Sequence, residues 1–182
     1  LSTVYMPGYK ITMLPDDVVQ TYTLQEGRAC PAVSLYATFE EASLTLQSTE
    51  TRIEQVPIAA NLRHDQLDHV VTEAWLSDAS FAHPAGTAEP AMPRAQLAFL
   101  FRLAKQLKAQ REVVRGKPET FNRPDYNFRL LNAQGQTQTG QPPSGEETVD
   151  ITERRRGEPL DLIVAEAMIL ANSTWGQWLA SL

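Results

Sequence analysis

The residues best suited to chemistry in this chain are its acidic pairs, Asp16-Asp17, Glu40-Glu41 and Glu146-Glu147. Neighbouring carboxylates can bind divalent cations, but a two-metal site needs several of them held rigidly around ions about 4 Å apart. Each pair falls at an expected turn or in an irregular segment, where solvated surface residues are the favoured interpretation. The sequence also has no nucleophile-elbow, phosphate-loop or dinucleotide-binding motif. No self-contained active site is therefore apparent.

The histidines and the cysteine do not have the spacing of a metal site. His64 and His69 are five positions apart, and no Cys or further His follows at the spacing of zinc ligands. Cys30 is the single cysteine, so no intrachain disulfide can form and a reducing, cytoplasmic location is expected. No stretch reaches the ~20 apolar residues that span a bilayer, so we expect no membrane partner.

Charge is distributed unevenly along the 182 residues. The formal net charge of -6 argues against a nucleic-acid binder, because phosphate binding depends on Lys and Arg. Residues 102–129 nevertheless contain eight basic and three acidic side chains. Such a segment could line a phosphate path, or it could be a solvated helix face followed by a basic loop. Charge alone favours the second interpretation.

Hydrophobic periodicity predicts an α+β fold, with antiparallel strands packed against several helices. Residues 29–39 and 43–56 are expected to form one hairpin, with an acidic pair at its turn. Shorter strands are expected over residues 126–131 and 148–154.

Helices are predicted over four segments. The first is short and is capped by Asp16; the others cover residues 64–76, 94–111 and 163–182. The last has the strongest apolar stripe, formed by Leu160, Val164, Ala167, Met168, Ala171, Trp175, Leu179 and Leu182. Segments rich in small residues, Pro, Gly or Gln lie near 77–93 and 132–147, and we expect both to be mobile loops.

Three short motifs carry more specific information. Residues 5–15 have the sequence YMPGYKITMLP, residues 123–128 the sequence RPDYNF, and residues 163–172 the sequence IVAEAMILAN. In this order they resemble the elements Y-L-P-G … I-P-M-L-P, R-P-D-Y-x-F and V-E-E-x-M-I-x-A-N of the ribonuclease II/R family, whose catalytic domain is the RNB domain. The resemblance covers essentially the whole chain and implies a single, partial RNB-like catalytic domain over residues 1–182.

The resemblance implies part of a magnesium-dependent, hydrolytic 3′-to-5′ exoribonuclease that acts on single-stranded RNA and releases nucleoside 5′-monophosphates. By position, Tyr5 and Phe128 match the family's aromatic clamp on the terminal bases; without the match both would be interpreted as core aromatics. Stacking suits sequence-independent binding, because every base has a π-face. The remaining RNA-binding residues expected from the matched motifs are Tyr126, His64 and Arg123.

Glu166 matches a carboxylate that the family places near the ribose of the bound 3′ end. A carboxylate can accept a hydrogen bond from a 2′-hydroxyl, which distinguishes RNA from DNA. On a largely apolar helix such a residue lies either at a solvated edge or buried with a partner. The match also implies a monomeric parent protein with flanking OB-type RNA-binding domains.

Departures from the family pattern limit what these residues can do by themselves. The metal-binding Asp cluster would precede Tyr5, and the Arg-containing segment that completes the active site would follow Leu182. We therefore expect neither catalytic residues nor Mg²⁺ ligands within this chain. His64 stands where the family usually has a Tyr, and Ala165 replaces the first Glu of the helix signature. These changes leave open a catalytically decayed RNB-fold protein that binds RNA or acts as a scaffold, or an interaction domain with no RNA role.

Overall fold

The computed structural model describes residues 2–63, 67–78, 80–81, 86–87, 90–120, 125–154 and 157–182. Contacts divide the chain into two compact units. Unit 1 consists of Leu1–Thr23 and Phe121–Arg156, and unit 2 of Leu24–Thr120 and Gly157–Leu182. Antiparallel strand pairs and four helices in the described part of the chain confirm the predicted α+β class. A single domain and mobile loops stay predictions.

Unit 1 begins with a short hairpin. Strand β1 (Val4–Met6) pairs antiparallel with β2 (Tyr9–Ile11), and the two central turn positions are Pro7 and Gly8. Proline fixes its own φ, and Gly8 has a φ of +70°, which a residue without a Cβ adopts at little cost. The Pro-Gly pair of the first motif is therefore the turn that holds this hairpin.

Helix α1 (Asp16–Tyr22) follows the hairpin, and its start differs from the prediction. Pro15 occupies the N-cap position and makes no side-chain capping bond, so the prediction that Asp16 caps the helix was wrong. Asp16 instead lies in the first turn, where a carboxylate interacts favourably with the helix dipole.

The second hairpin of unit 1 pairs β5 (Asp125–Leu131) with β6 (Thr148–Arg154), close to the predicted bounds. The segment between the strands is irregular, as predicted, but it makes defined contacts. Its Gly140 amide donates to the Gly8 carbonyl oxygen over 2.8 Å. The loop is therefore hydrogen-bonded to the turn of the first hairpin.

Unit 2 contains the long hairpin expected from the alternating sequence. Strand β3 (Ala29–Phe39) pairs antiparallel with β4 (Leu46–Pro57), and the register shifts between Thr38 and Phe39. A register shift of this kind locally increases the strand twist. The hairpin is joined to the last helix of the unit by a hydrogen bond of 3.1 Å from Trp175 Nε1 to Thr51 Oγ1.

The described residues of unit 2 also form the helices α2 (Glu73–Ser77), α3 (Arg94–Arg115) and α4 (Pro159–Ala180). Part of the helix predicted over residues 64–76, residues 64–66, lies outside the described residues. Residue 67 is helical, residues 68–71 form turns and a bend, and the chain becomes helical again in α2. Thr72 then caps α2 by accepting a hydrogen bond from the Trp75 amide. A left-handed Gly116 ends α3, which is the usual role of glycine after a helix.

The core of unit 2 forms where these three helices meet. Its buried side chains are Val71, Trp75, Leu76, Leu97, Phe101 and Leu160. Trp75 and Phe101 are large aromatic residues, and such side chains contribute most to the free energy of apolar burial. The core therefore fixes where α4 packs against α3.

Only part of the predicted apolar stripe of α4 packs. Leu160 is buried and Trp175 is half-buried, but Val164, Met168 and Leu179 are exposed. Glu166, which lies outside the predicted stripe, is buried. Because α4 is apolar on most sides, periodicity could not select the side that meets α3. Despite this apolar character, the described residues include no helix that is long and apolar enough to cross a membrane.

Candidate functional site

Strand β5 presents two aromatic rings on one face. Tyr126 and Phe128 are two positions apart, so their side chains point to the same side of the strand. They are 48% and 51% exposed, respectively. Leu130 follows on the same face but is buried. On this face of β5, Leu130 is therefore buried, whereas the rings of Tyr126 and Phe128 are partly exposed to solvent.

Tyr5 is the most exposed aromatic residue of the first hairpin, with 79% of its surface accessible. The strand register pairs it directly with Lys10, so the two side chains stand on the same face. A groove of about 780 Å³ opens beside them. It is lined by Tyr5, Met6, Gly8, Tyr9, Lys10, Ile11, Thr12, Asp16, Val19, Thr139 and Gly140.

One wall of this groove depends on a close backbone approach. A Cβ added at Gly8 would clash with the carbonyl oxygen of Gln138, and its φ is one that side chains disfavour. The adjacent Gly140 amide donates to Gly8. Glycine at position 8 is therefore required both by the turn and by the loop that packs on it.

Glu166 lies in unit 2 and is 2% exposed. Its Oε1 accepts a hydrogen bond of 2.6 Å from Arg111 Nη2, and the same nitrogen donates to Glu119 Oε2 over 2.7 Å. The hydrogen bonds to Glu166 and Glu119 raise the pKa of Arg111. In turn, the hydrogen bond from Arg111 lowers the pKa of the Glu119 carboxyl. These three residues form a charged network between α3, α4 and the segment after α3.

Three further basic residues of α3 also have carboxylate partners. The Nζ atom of Lys105 lies 2.7 Å from Oε1 of Glu73, and Nζ of Lys108 lies 3.8 Å from Oε1 of Glu112. Nη1 of Arg115 lies 3.7 Å from Oε1 of Glu119. Much of the positive charge of residues 102–115 is therefore balanced within unit 2, which supports the solvated-helix interpretation of the basic segment over a phosphate path.

Comparison with known proteins identifies the domain. The family model described as RNB domain matches residues 1–182. The chain belongs to the RNB domain family. This confirms the resemblance drawn from the three motifs and places the chain in an exoribonuclease-type family that acts on RNA. No curated protein and no solved structure matches the chain.

The predicted site residues of this RNB domain that the structure describes belong to both units. Tyr5, Tyr126 and Phe128 all belong to unit 1 and are exposed. Glu166 belongs to unit 2 and is buried with a partner, one of the two placements that its helix allowed. The predicted sites His64 and Arg123 lie outside the described residues.

Sequence reasoning missed two residues of these sites. In the sequence, Arg111 is one of the eight basic residues of the segment 102–129, and only the structure shows that it donates a hydrogen bond to the carboxylate of Glu166. Lys10 lies inside the first motif, yet only the strand register shows that it faces Tyr5. The Pro7–Gly8 turn was the available signal, because a two-residue turn makes Tyr5 and Lys10 facing partners.

The acidic residues of these sites do not form a metal centre among the described residues. In the described ranges, no group of three or more His, Cys, Asp or Glu side chains is arranged to hold a metal ion. The carboxylates of Glu119 and Glu166 both bind the guanidinium of Arg111. These residues do not fit the metal centre that the RNB family implies.

Proposed function

We propose that this chain supplies the single-stranded RNA-binding part of a magnesium-dependent, hydrolytic exoribonuclease. The enzyme would degrade RNA from its 3′ end and release nucleoside 5′-monophosphates. The observation that carries the proposal is the exposure of Tyr5, Tyr126 and Phe128 on the two hairpins of unit 1. A monomeric parent with flanking OB-type domains and a cytoplasmic location are part of the same proposal and rest on the family alone.

Exposed aromatic rings on short hairpins suit an enzyme that must accept every base. Stacking contributes ~1–3 kcal/mol per base and depends little on base identity. Tyr5 precedes the rigid Pro7–Gly8 turn, and Phe128 is held by the β5–β6 ladder, where it faces Ile151. Rings fixed in this way lose little conformational freedom when a base stacks on them.

Glu166 would act differently from the aromatic rings. Its carboxylate is inside unit 2 and already accepts a hydrogen bond from Arg111. A carboxylate has about four acceptor positions, so this bond leaves room for a 2′-hydroxyl. The proposed ribose contact therefore requires the 3′ nucleotide to reach an interior carboxylate, and it predicts that Glu166→Gln reduces the preference for RNA over DNA.

The test is a degradation assay with the full-length protein on an end-labelled single-stranded RNA and the matching DNA, with and without Mg²⁺. We expect Mg²⁺-dependent shortening of the RNA one nucleotide at a time, 5′-monophosphate products and little attack on the DNA. Residues 1–182 assayed alongside should not shorten the RNA by themselves. Phe128→Ala should slow the reaction while leaving the product unchanged.

The second candidate function is a catalytically decayed RNB-fold protein that binds RNA or acts as a scaffold. The departures from the family pattern at His64 and Ala165 favour it. RNA binding without any cleavage by the full-length protein would establish this second function. If the full-length protein neither bound nor cut RNA, both functions would be rejected.

A further inference from the structure

We propose that Lys10 binds a phosphodiester of the RNA strand and that Tyr5 and Lys10 together form a single-nucleotide subsite. In this subsite the base stacks on the Tyr5 ring while the Lys10 ammonium neutralises the adjoining phosphate. The inference rests on the proposed function, because it assumes that RNA reaches the Tyr5 face of unit 1. It adds a residue and a chemical role that the motifs did not indicate.

The strand register places the two groups side by side. Tyr5 and Lys10 are directly paired across the β1–β2 ladder, one step from the closing pair Met6 and Tyr9. Side chains that face each other in this way have Cβ atoms about 4.5–5.5 Å apart. A nucleotide carries its base and its phosphate on the same ribose, so a ring and an ammonium at paired positions can contact both.

Among the described residues, the ammonium group of Lys10 forms no ion pair with a carboxylate. Lys10 is exposed, and the ion pairs of the described residues do not include it. Lys105 and Lys108 of α3 differ in this respect, because each has a glutamate within 4.0 Å. An ammonium without a carboxylate partner can neutralise a phosphate and release its counterion.

The groove beside the pair has room for a nucleotide. Its volume of about 780 Å³ falls in the range of about 300–1,000 Å³ that is typical of small-molecule sites. Tyr9, Thr139 and Gly140 add aromatic, hydroxyl and backbone surface to its lining. Asp16 is the acidic group in this lining, and its carboxylate would repel a phosphodiester. Lys10 supplies the positive charge of this lining, so a phosphodiester would bind at its ammonium.

The experiment measures binding of a fluorescein-labelled oligouridylate to the full-length protein by anisotropy, in EDTA and over a series of KCl concentrations. Lys10→Gln should weaken binding severalfold at low salt and reduce the slope of log affinity against log salt by about 0.7, the value for one contact to a single strand. Lys10→Arg should restore both quantities. Asp16→Asn should tighten binding.

Arg52→Gln is the matched control, because it also removes one positive charge from an exposed strand position but lies in unit 2. A slope change equal to that of Lys10→Gln would show a general charge effect and overturn the inference. Tyr5→Ala separates the two proposals: weaker binding for Tyr5→Ala with an unchanged slope for Lys10→Gln would keep the proposed function and reject the Lys10 contact. If the unmodified protein did not bind the oligouridylate, both would be rejected.

Discussion

Arg111 and Glu166 join the two long helices of unit 2 through a bond of 2.6 Å between Nη2 and Oε1, although 55 positions separate them in the sequence. The partners are buried to different extents: the side chain of Glu166 is 3% exposed and that of Arg111 24%. Arg111 also has a second carboxylate partner in Glu119. Loss of Arg111 would therefore leave a buried charge without compensation, whereas loss of the Glu166 charge would not.

This asymmetry predicts the stability of two variants. Arg111→Met should lower the free energy of unfolding by about 3 kcal/mol, since removal of one partner strands a buried charge. Glu166→Gln should cost only about 1–2 kcal/mol, because the amide oxygen still accepts from Arg111 and only the charge of the bond is lost. Urea unfolding of the two variants and the unmodified chain measures both values. Equal losses, or a larger loss for Glu166→Gln, would contradict the burial of this pair.

The same network predicts a pH dependence. The hydrogen bond from Arg111 holds the pKa of Glu119 below its ordinary value of 4.5. A carboxyl with a lowered folded pKa stabilises the fold fully above the unfolded value, and this contribution is lost as the pH falls through the folded value. The unmodified chain should therefore lose stability below about pH 4.5, and Glu119→Gln should lose less over the same interval. Urea midpoints from pH 7 to 3 provide the measurement; parallel curves would disprove the link to Glu119.

Substitutions at two glycines of unit 1 distinguish the cost of backbone strain from the cost of a steric clash. Gly8 and Gly135 have nearly the same φ, +70° and +72°, but only a Cβ at Gly8 would meet another atom closely. Gly135→Ala should cost about 1 kcal/mol from the left-handed backbone. Gly8→Ala should cost about 1–3 kcal/mol more, because the carbonyl of Gln138 must move. Thermal unfolding compares the two, and identical melting temperatures would mean that the loop does not pack on the hairpin turn.

On the exposed face of β5, we expect one residue to contribute to RNA binding and its neighbour on the same face to contribute to the stability of the fold. Phe128 is half exposed and Leu130 is buried, yet both lie on one side of the strand. Phe128→Ala should weaken binding of single-stranded RNA by about 1–3 kcal/mol, the value of one base stack, with little effect on unfolding. Leu130→Ala should cost about 2–4 kcal/mol of stability while the remaining folded protein binds RNA normally. Anisotropy and urea unfolding on both variants test this, and a stability loss for Phe128→Ala alone would place that ring in the core.

The sequence by itself determined the elements and the family. Alternating residues predicted β3 and β4 within a few positions of Ala29–Phe39 and Leu46–Pro57, because a strand with one buried side imposes a period of two. The three motifs identified the RNB domain, and the family match confirmed it. Periodicity and short motifs depend on residues that are near one another in the chain, so they can be recognised without knowing the tertiary structure.

The tertiary structure decided which faces pack and which charges meet. The apolar stripe of α4 pointed to Val164 and Met168, but both are exposed, since a helix that is apolar on most sides takes its buried face from the helix it contacts. Glu166 found its partner on α3, 55 positions away, and no periodicity encodes such a pair. Lys10 was placed beside Tyr5 by the register of one turn. Packing and pairing over long separations are properties of the folded chain, and only the assembled core fixes them.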